Sequence, residues 1–224
     1  MPASYPQKIF RAVIDAIYPP RCPLCDSFVH ERACPCEDCA HSVRRLDSEA
    51  FVPHIPKSVL SFCPSCFAFE GRVKDALHGF KYGDRQDLLS IFAKEMAAEA
   101  SAVGGFDLIV PVPLAPRKLS DRGFNQSALI ARRMAKWAGA PADLRSLVRV
   151  REIPPQVGLE REARIENVRG AFAVRNGREG RLAGREVLLI DDVMTTGATL
   201  AECARALRGA GAASVWALTV ARTL

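Results

Sequence analysis

No stretch of this 224-residue chain approaches the ~18 to 20 consecutive apolar residues that a membrane-spanning helix needs. The longest apolar pieces are short, such as Val187-Leu188-Leu189-Ile190, so membrane insertion is not expected. A secretory leader requires a basic start and an apolar run of ~7 to 15 residues. Here the segment from Ile9 to Tyr18 is interrupted by Arg11 and Asp15, and the expected location is cytoplasmic. The composition also lacks the polarity of a disordered tail: hydrophobic residues make up 49% and charged residues 25%, as in ordinary globular proteins. At this length about one or two domains are expected. Cysteine is nearly missing from the last two thirds, where Cys203 stands alone. The other seven of the eight lie between Cys22 and Cys66, which divides the chain into two compositional parts.

An excess of 31 Lys and Arg over 25 Asp and Glu gives a net charge of +6. Such a balance favours an anionic partner, either a phosphorylated small molecule or nucleic acid, or forms a solvated basic surface. Aromatic residues are scarce and do not interleave with the basic ones as base-stacking platforms. Any single-stranded DNA contact would therefore rest on charge and on the cysteine-rich end.

Ile9, Phe10, Val13, Ile14 and Ile17 recur at helical spacing until Pro19-Pro20 stops the pattern, predicting a short amphipathic helix. Helices are expected over 72–80 and 86–100, broken at Lys81-Tyr82-Gly83-Asp84. A buried strand is expected over 106–112, a helix over 126–138, and strands over 147–151 and 171–174. The last elements are the clearest. A β-rich run at 186–190, a helix at 199–208 closed by Gly209 and Gly211, and a strand at 214–220 make a βαβ unit, which requires a parallel sheet.

Where that unit turns from strand to helix stands Asp191-Asp192-Val193-Met194-Thr195-Thr196-Gly197-Ala198-Thr199. In open α/β sheets ligands bind at the carboxyl ends of strands, and a small-residue turn that opens a helix offers N–H groups to a phosphate. Thr195, Thr196 and Thr199 add hydroxyl donors, and Gly197 lets the backbone close around an anion. The paired acids suit another part of the same ligand, such as sugar hydroxyls or a bridging Mg²⁺. A phosphorylated sugar satisfies both halves. A Thr-capped helix with acids near its N-terminus is the bland alternative, and it accounts for only one acid and one Thr. The string has neither the Gly-Lys-Ser/Thr of a Walker A loop nor glycines placed as in the dinucleotide fingerprint.

A second basic loop follows the strand ending in Pro111-Val112-Pro113: Arg117, Lys118, Arg122, Gly123, Phe124, Asn125 and Gln126. It suits pyrophosphate. Pro155-Gln156, Gly158-Leu159, Arg161, Arg164 and Asn167 come later. In the cysteine-rich part, Cys22-Pro-Leu-Cys25 and Cys36-Glu-Asp-Cys39 are two CxxC pairs ten residues apart, which suit a closed tetrahedral Zn²⁺ site. The second pair is expected to open a helix over 37–46, whose N-terminal dipole favours thiolates. The third pair, Cys63 and Cys66, is read as a β segment that binds nothing, or else as a replacement for one of the first two pairs. Cys34, His30 and His41 are spare candidates, and Cys203 is expected in the core.

The string from Asp191 to Thr199 resembles the phosphoribosyl pyrophosphate (PRPP) motif of type I phosphoribosyltransferases. That resemblance implies Asp191 and Asp192 at the ribose hydroxyls and Thr195, Thr196, Gly197, Ala198 and Thr199 at the 5-phosphate. Salvage enzymes acting on 6-oxopurines carry an acid where this chain has Thr195, so their activity is not expected; the orotate type has a similar Thr-Thr-Gly. Taken with Lys81-Tyr82, Pro111-Val112-Pro113, Arg122-Gly123-Phe124-Asn125-Gln126, Gln156 and Asn167, nearly the whole chain resembles the ComF family of competence-associated phosphoribosyltransferase-like proteins, including its GntX-type members. The resemblance implies an α/β fold, with a type I phosphoribosyltransferase-like parallel sheet flanked by helices and a small N-terminal zinc-finger module.

Three parts are expected: a zinc-binding module with its N-terminal helix over 1–50, a hood and helical connection over 51–104, and the phosphoribosyltransferase-like core over 105–224. The expected activity is Mg²⁺-dependent transfer of phosphoribose from PRPP with pyrophosphate release, linked by the family resemblance to DNA uptake. Arg117, Lys118 and Arg122 are expected to stabilise the departing anion. The competing expectation is a non-catalytic module that senses PRPP and grips single-stranded DNA or a competence protein through its zinc end. The oligomeric state is left open.

Overall fold

A computed structural model describes residues 14–31, 34–46, 55–82, 86–154 and 161–224. The hydrophobic runs assemble a four-stranded sheet from β1 (Ser65–Ala68), β2 (Leu108–Pro111), β5 (Glu186–Met194) and β6 (Ser214–Arg222), in the order β1-β6-β5-β2 with every pair parallel. β5 is apolar on both faces because both are covered. Leu188 and Ile190 pack with Phe92 and Met96 of α3 (Gln86–Val103) and with Ile130 and Met134 of α5 (Gln126–Met134). Val187 and Leu189 pack on the opposite side with Leu200, Cys203 and Leu207 of α7 (Ala198–Gly209). Cys203 is a buried core residue, as its alanine-rich helix predicts.

β3 (Leu147–Arg149) and β4 (Phe172–Val174) form a separate antiparallel pair, with α6 (Arg161–Val168) between them in sequence. The other elements are α1 (Glu37–Ser42), α2 (Gly71–Tyr82), α4 (Pro116–Arg122) and a short 3-10 helix at Glu179–Arg181. Most element types follow the sequence reading, but the stretch read as a basic loop is helical over Pro116–Arg122, Arg161–Val168 forms a helix that was not expected, and several bounds differ. The helix expected over 37–46 stops at Ser42, the helix expected over 126–138 stops at Met134, and the strand expected over 106–112 shrinks to Leu108–Pro111. The amphipathic helix before Pro19 is described only at 14–17, which is helical; Ile9, Phe10 and Val13 lie outside the described residues.

The segment placed between the cysteine module and the core contributes more than a connection. Its β1 pairs with β6, Ser65 Oγ lies 2.6 Å from Thr219 Oγ1, and α2 and α3 bury Leu77, Phe80, Leu88 and Phe92 against the sheet. The outer edge of β1 is covered by the chain leaving the cysteine module. Leu46 N–H donates to Cys66 O at 3.1 Å, Ala68 N–H donates to Arg44 O at 2.9 Å, and the Arg45 guanidinium meets Glu95 at 2.7 Å. Covering a strand edge removes a template for unwanted pairing. Among the described residues no helix is long and apolar enough to cross a membrane.

Candidate functional site

β5 does not end at Ile190. It runs to Met194, so Asp191 and Asp192 sit inside its last turn of pairing, Asp191 opposite Thr219 and Met194 opposite Arg222 on β6. Parallel pairing with a long neighbour carries the strand past the point where its apolar run stops. The consequence is that the acids are only partly exposed. Asp191 Oδ1 accepts the Ser127 hydroxyl at 3.0 Å and the Asp192 N–H at 2.9 Å. Burial, followed by the adjacent Asp192 charge, pushes the Asp191 carboxyl up to about 7 against the opposing pull of these donors and of Lys81. Asp192 is neutralised by Lys81 Nζ at 2.8 Å, a pair whose side chains are only 20% and 16% exposed.

The motif from Arg122 to Gln126 is the stop of one helix and the start of the next. Gly123, at φ 76°, takes the left-handed conformation that ends α4, and its N–H returns to Leu119 O at 2.8 Å. Asn125 then caps α5, accepting from Ser127 N at 3.0 Å and Ala128 N at 3.4 Å while its Nδ2 donates to Val112 O at 2.9 Å. Thus the cap ties the start of α5 to the end of β2. Phe124 packs at 6.2 Å from Phe80, the residue before Lys81, and so draws the end of α2 to the same place.

These elements enclose a cavity of about 160 Å³ at the carboxyl ends of β2 and β5. Lys81, Lys118, Arg122, Gln126, Asp191 and Asp192 line it. Of the three basic residues singled out in the second loop, Arg117 is not in the wall: it is exposed and faces Glu152 Oε1 at 3.4 Å. The reason lies in helix periodicity, since adjacent residues of α4 point about 100° apart. Beyond Asp191, a narrow cleft is bounded by Thr195, Thr196, Gly197, Ala198 and Thr199 at the start of α7. Gly197 sits at φ 76° as the N-cap residue, without a side chain to cap the helix, and Ala198 N–H reaches Thr196 Oγ1 at 3.4 Å. Backbone donors at a helix start beside hydroxyls make an anion cradle.

Lys81 and Ser127 are wall residues whose place the sequence reading did not assign, whereas Gln126 belongs to the stretch read as a pyrophosphate loop. Their signal was present: a lysine at the end of an amphipathic helix, and polar residues on the first turn of another. Pro155, Gln156, Gly158 and Leu159 lie outside the described residues. Asn167 donates to Pro154 O at 3.1 Å, and its own carbonyl accepts from Arg151, so this polar group closes the chain around α6 and does not line the acid-pair cavity.

The cysteine module gathers the Sγ atoms of Cys22, Cys25, Cys36 and Cys39 within 4.8 Å of one another. A Zn–S tetrahedron at ~2.3 Å has sulfur–sulfur edges of about 3.8 Å, and Cys25 Sγ to Cys36 Sγ is 3.6 Å. The first pair sits on a tight knuckle. Asp26 N–H donates to Cys22 O at 2.8 Å, with Asp26 at φ 65°, and Cys22 Sγ accepts Cys36 N–H at 3.2 Å. Hydrogen bonds from Ser27 lower the Cys25 thiol to about 6. Cys36 is the N-cap of α1, and the Cys39 N–H lowers its thiol too, whereas burial raises that of Cys39. Four thiols in this arrangement fit one structural zinc ion. Cys63 and Cys66 are not part of it. Cys63, just before β1, is buried against Met194 Sδ at 3.6 Å, burial pushing its thiol up to about 12, and Cys66 is buried within β1. Cys34 and His41 find local partners, Glu31 and the Glu37 carbonyl; His30 and both of these remain outside the cluster.

Residues 128–223 match the phosphoribosyl transferase domain family, and residues 13–51 match the double zinc ribbon domain family. The chain is 34% identical over 154 residues to the DNA utilization protein YhgH of Salmonella typhi, covering 66% of each chain. It is 36% identical over 115 residues to Competence protein F of Haemophilus influenzae, covering 50% of this chain and 49% of that one. With Competence protein ComFC of Bacillus subtilis the identity is 27% over 208 residues, covering 90% of this chain and 78% of that one.

Proposed function

Because the chain belongs to the ComF family of phosphoribosyltransferase-like proteins, we propose that it binds PRPP at the carboxyl edge of its parallel sheet and transfers the phosphoribosyl group with release of pyrophosphate. The observation that supports this reading is the acid pair at the end of β5, flanked on one side by the anion cradle of α7 and on the other by a cavity carrying Lys81, Lys118 and Arg122. Anion, polyol and anion are thus served in sequence. In this proposal Thr195, Thr196, Thr199 and the N–H groups around Gly197 and Ala198 hold the 5-phosphate. Asp191 and Asp192 receive the ribose hydroxyls, and Lys118 and Arg122 receive the diphosphate. Arg117, paired with Glu152, stands one step outside.

Mg²⁺ fits the donor set, because two adjacent carboxylates offer hard oxygen ligands and the raised Asp191 carboxyl marks a place where added positive charge is favourable. Asp191 and Asp192 would hold the ion together with substrate oxygens, and it would supply neutralisation of the diphosphate charge. The chain's own residues orient the sugar and hold the leaving diphosphate in a partly enclosed site, where fixed charges act more strongly than in water. The division into a zinc module ending near residue 50 and a phosphoribosyltransferase-like remainder belongs to the same proposal. So does a role in DNA uptake, in line with relatives named for competence and DNA utilization, with the zinc end contacting single-stranded DNA or a competence protein.

Calorimetric titration with PRPP, with and without Mg²⁺, tests the assignment in the wild type and in the double variant Asp191→Asn, Asp192→Asn. The double variant should stay folded, lose PRPP affinity at least about tenfold and still bind ribose 5-phosphate weakly through the threonine loop. Unchanged PRPP affinity in the folded variant would refute the role of the acids. A pyrophosphate-release assay over a panel of bases separates the transferase from a PRPP sensor, which would bind without turnover.

A further inference from the structure

The amino edge of the sheet, opposite the acid pair, carries a run of arginines that the phosphoribosyl site does not use. Arg175, Arg178, Arg181 and Arg185 stand between β4 and β5, where Glu179 is the one acid. Two tight turns set their spacing. Arg178 N–H donates to Arg175 O at 3.0 Å across a turn that Gly177 makes at φ 78°, and Arg181 N–H donates to Arg178 O at 3.0 Å through the 3-10 helix. Turns of this kind hold the first and last Cα atoms within about 7 Å. Buried Asp143 draws in a fifth arginine: its Oδ1 accepts Arg145 N–H at 3.0 Å and its Oδ2 accepts Arg181 Nε at 3.0 Å, while Arg175 N–H donates to Ser146 O at 2.8 Å. Arg145, Arg175, Arg181 and Arg185 are exposed and Arg178 is half-buried. Among the described residues, Arg181 alone of the five forms an ion pair, with Asp143. Neighbouring arginines are otherwise engaged, Arg151 on the Asn167 and Arg169 carbonyls, Arg169 on Glu166 and Arg205 on Glu202. Cations gathered without counter-charges repel one another, and a polyanion relieves that repulsion.

We infer that this face binds the backbone of single-stranded nucleic acid, its phosphates met by Arg145, Arg175, Arg178 and Arg185. A guanidinium fork matches two phosphate oxygens at once, and a row of forks at short, repeated spacing suits a chain with a phosphate on every residue. Leu144 favours a single strand over a duplex. It is 40% exposed beside Arg145 and offers an apolar surface to an unstacked base, which a duplex keeps inside. The surface is separate from the phosphoribosyl site, because β5 runs for nine residues from Glu186, next to Arg185, to Met194, next to the threonine cradle, or about 25 Å. A strand held here leaves that site open. The inference therefore does not depend on the PRPP reading, and it adds a second nucleic-acid surface to the contact proposed for the zinc end.

Fluorescein-labelled oligothymidine, read by anisotropy across a range of NaCl concentrations, is the probe. In the triple variant Arg175→Gln, Arg178→Gln, Arg185→Gln the slope of log affinity against log salt should fall by about 2, at about 0.7 per lost phosphate contact, and affinity at low salt should drop at least about tenfold. Melting temperature and PRPP affinity should hold. Arg175→Gln alone should lower the slope by about 0.7, which keeps the test available if the triple variant folds poorly. A control triple, Arg132→Gln, Arg133→Gln, Lys136→Gln, removes the same charge from another surface and should lose less than about twofold. Equal losses in the two triples would reduce the effect to net charge and overturn the inference. So would unchanged strand affinity in the first triple, displacement of the strand by saturating PRPP, displacement by poly-glutamate at matched charge, or a wild type that binds no strand. Strand binding in a wild type without PRPP affinity would support the arginine face and overturn the PRPP reading.

Discussion

Replacing Asp191 with Asn isolates the charge of a partly buried carboxylate, since Asn keeps an Oδ1 able to accept from Ser127 Oγ and Asp192 N, now at 3.0 and 2.9 Å. Burial and the Asp192 charge raise the Asp191 carboxyl to about 7 in the folded chain, whereas an unfolded aspartate titrates at about 3.9. Between those values the folded state retains a proton that the unfolded state has released. Stability therefore falls as pH rises through this window. At about 1.4 kcal/mol per unit, the three units amount to about 4 kcal/mol, fully present below pH ~4 and gone above pH ~7. Other carboxylates add their own acid limb, so the informative quantity is the difference between Asp191→Asn and wild type in urea unfolding at pH 5, 6, 7 and 8. That difference should grow in favour of the variant by about 2 to 3 kcal/mol across the series. A difference that stays flat with pH would refute the claim that the site holds a destabilised carboxyl, and with it the argument that a cation or ribose hydroxyls relieve it.

Purified protein should carry about one zinc per chain, lost in Cys22→Ser or Cys36→Ser and retained in Cys203→Ser and Cys63→Ser, as read by metal analysis; retention in Cys36→Ser with loss in Cys63→Ser would move the site to the third cysteine pair. Asp143 is buried, and although burial opposes its ionisation, the Ser146 hydroxyl, the Arg145 and Ser146 N–H groups and Arg181 together hold its carboxyl below the usual value. Asp143→Ala should cost about 3 kcal/mol near neutral pH by leaving those donors unpaired. The cost should shrink as pH falls from the unfolded value of about 3.9 through the folded one, and a pH-independent cost in denaturant titrations would count against it.

Much of the site was legible because its signals are local. Two CxxC pairs carry their own metal geometry, and Cys22, Cys25, Cys36 and Cys39 need only a knuckle and one helix start to converge. The string from Asp191 to Thr199 is likewise a single strand-to-helix turn, and the apolar run before it and Gly209 and Gly211 at the end of α7 mark the βαβ unit without reference to the rest of the chain. What the tertiary structure alone decided depends on partners distant in sequence. Strand length is set by pairing, so β5 continued through the acids because β6 lay alongside as far as Arg222. The segment from Ser65 to Val103 reads locally as a short β run and two helices; its place as the edge strand and one cover of the sheet follows from contacts with β6 and α5, more than a hundred residues away for the strand pair. Side-chain direction was equally hidden. Arg117, Lys118 and Arg122 are alike in composition, and only the rotation of α4 over the end of β2 turned two of them toward the acids and left the first facing Glu152. Lys81 reaches Asp192 because Phe80 is fastened between Phe92 and Phe124, a packing that no pattern along the chain records.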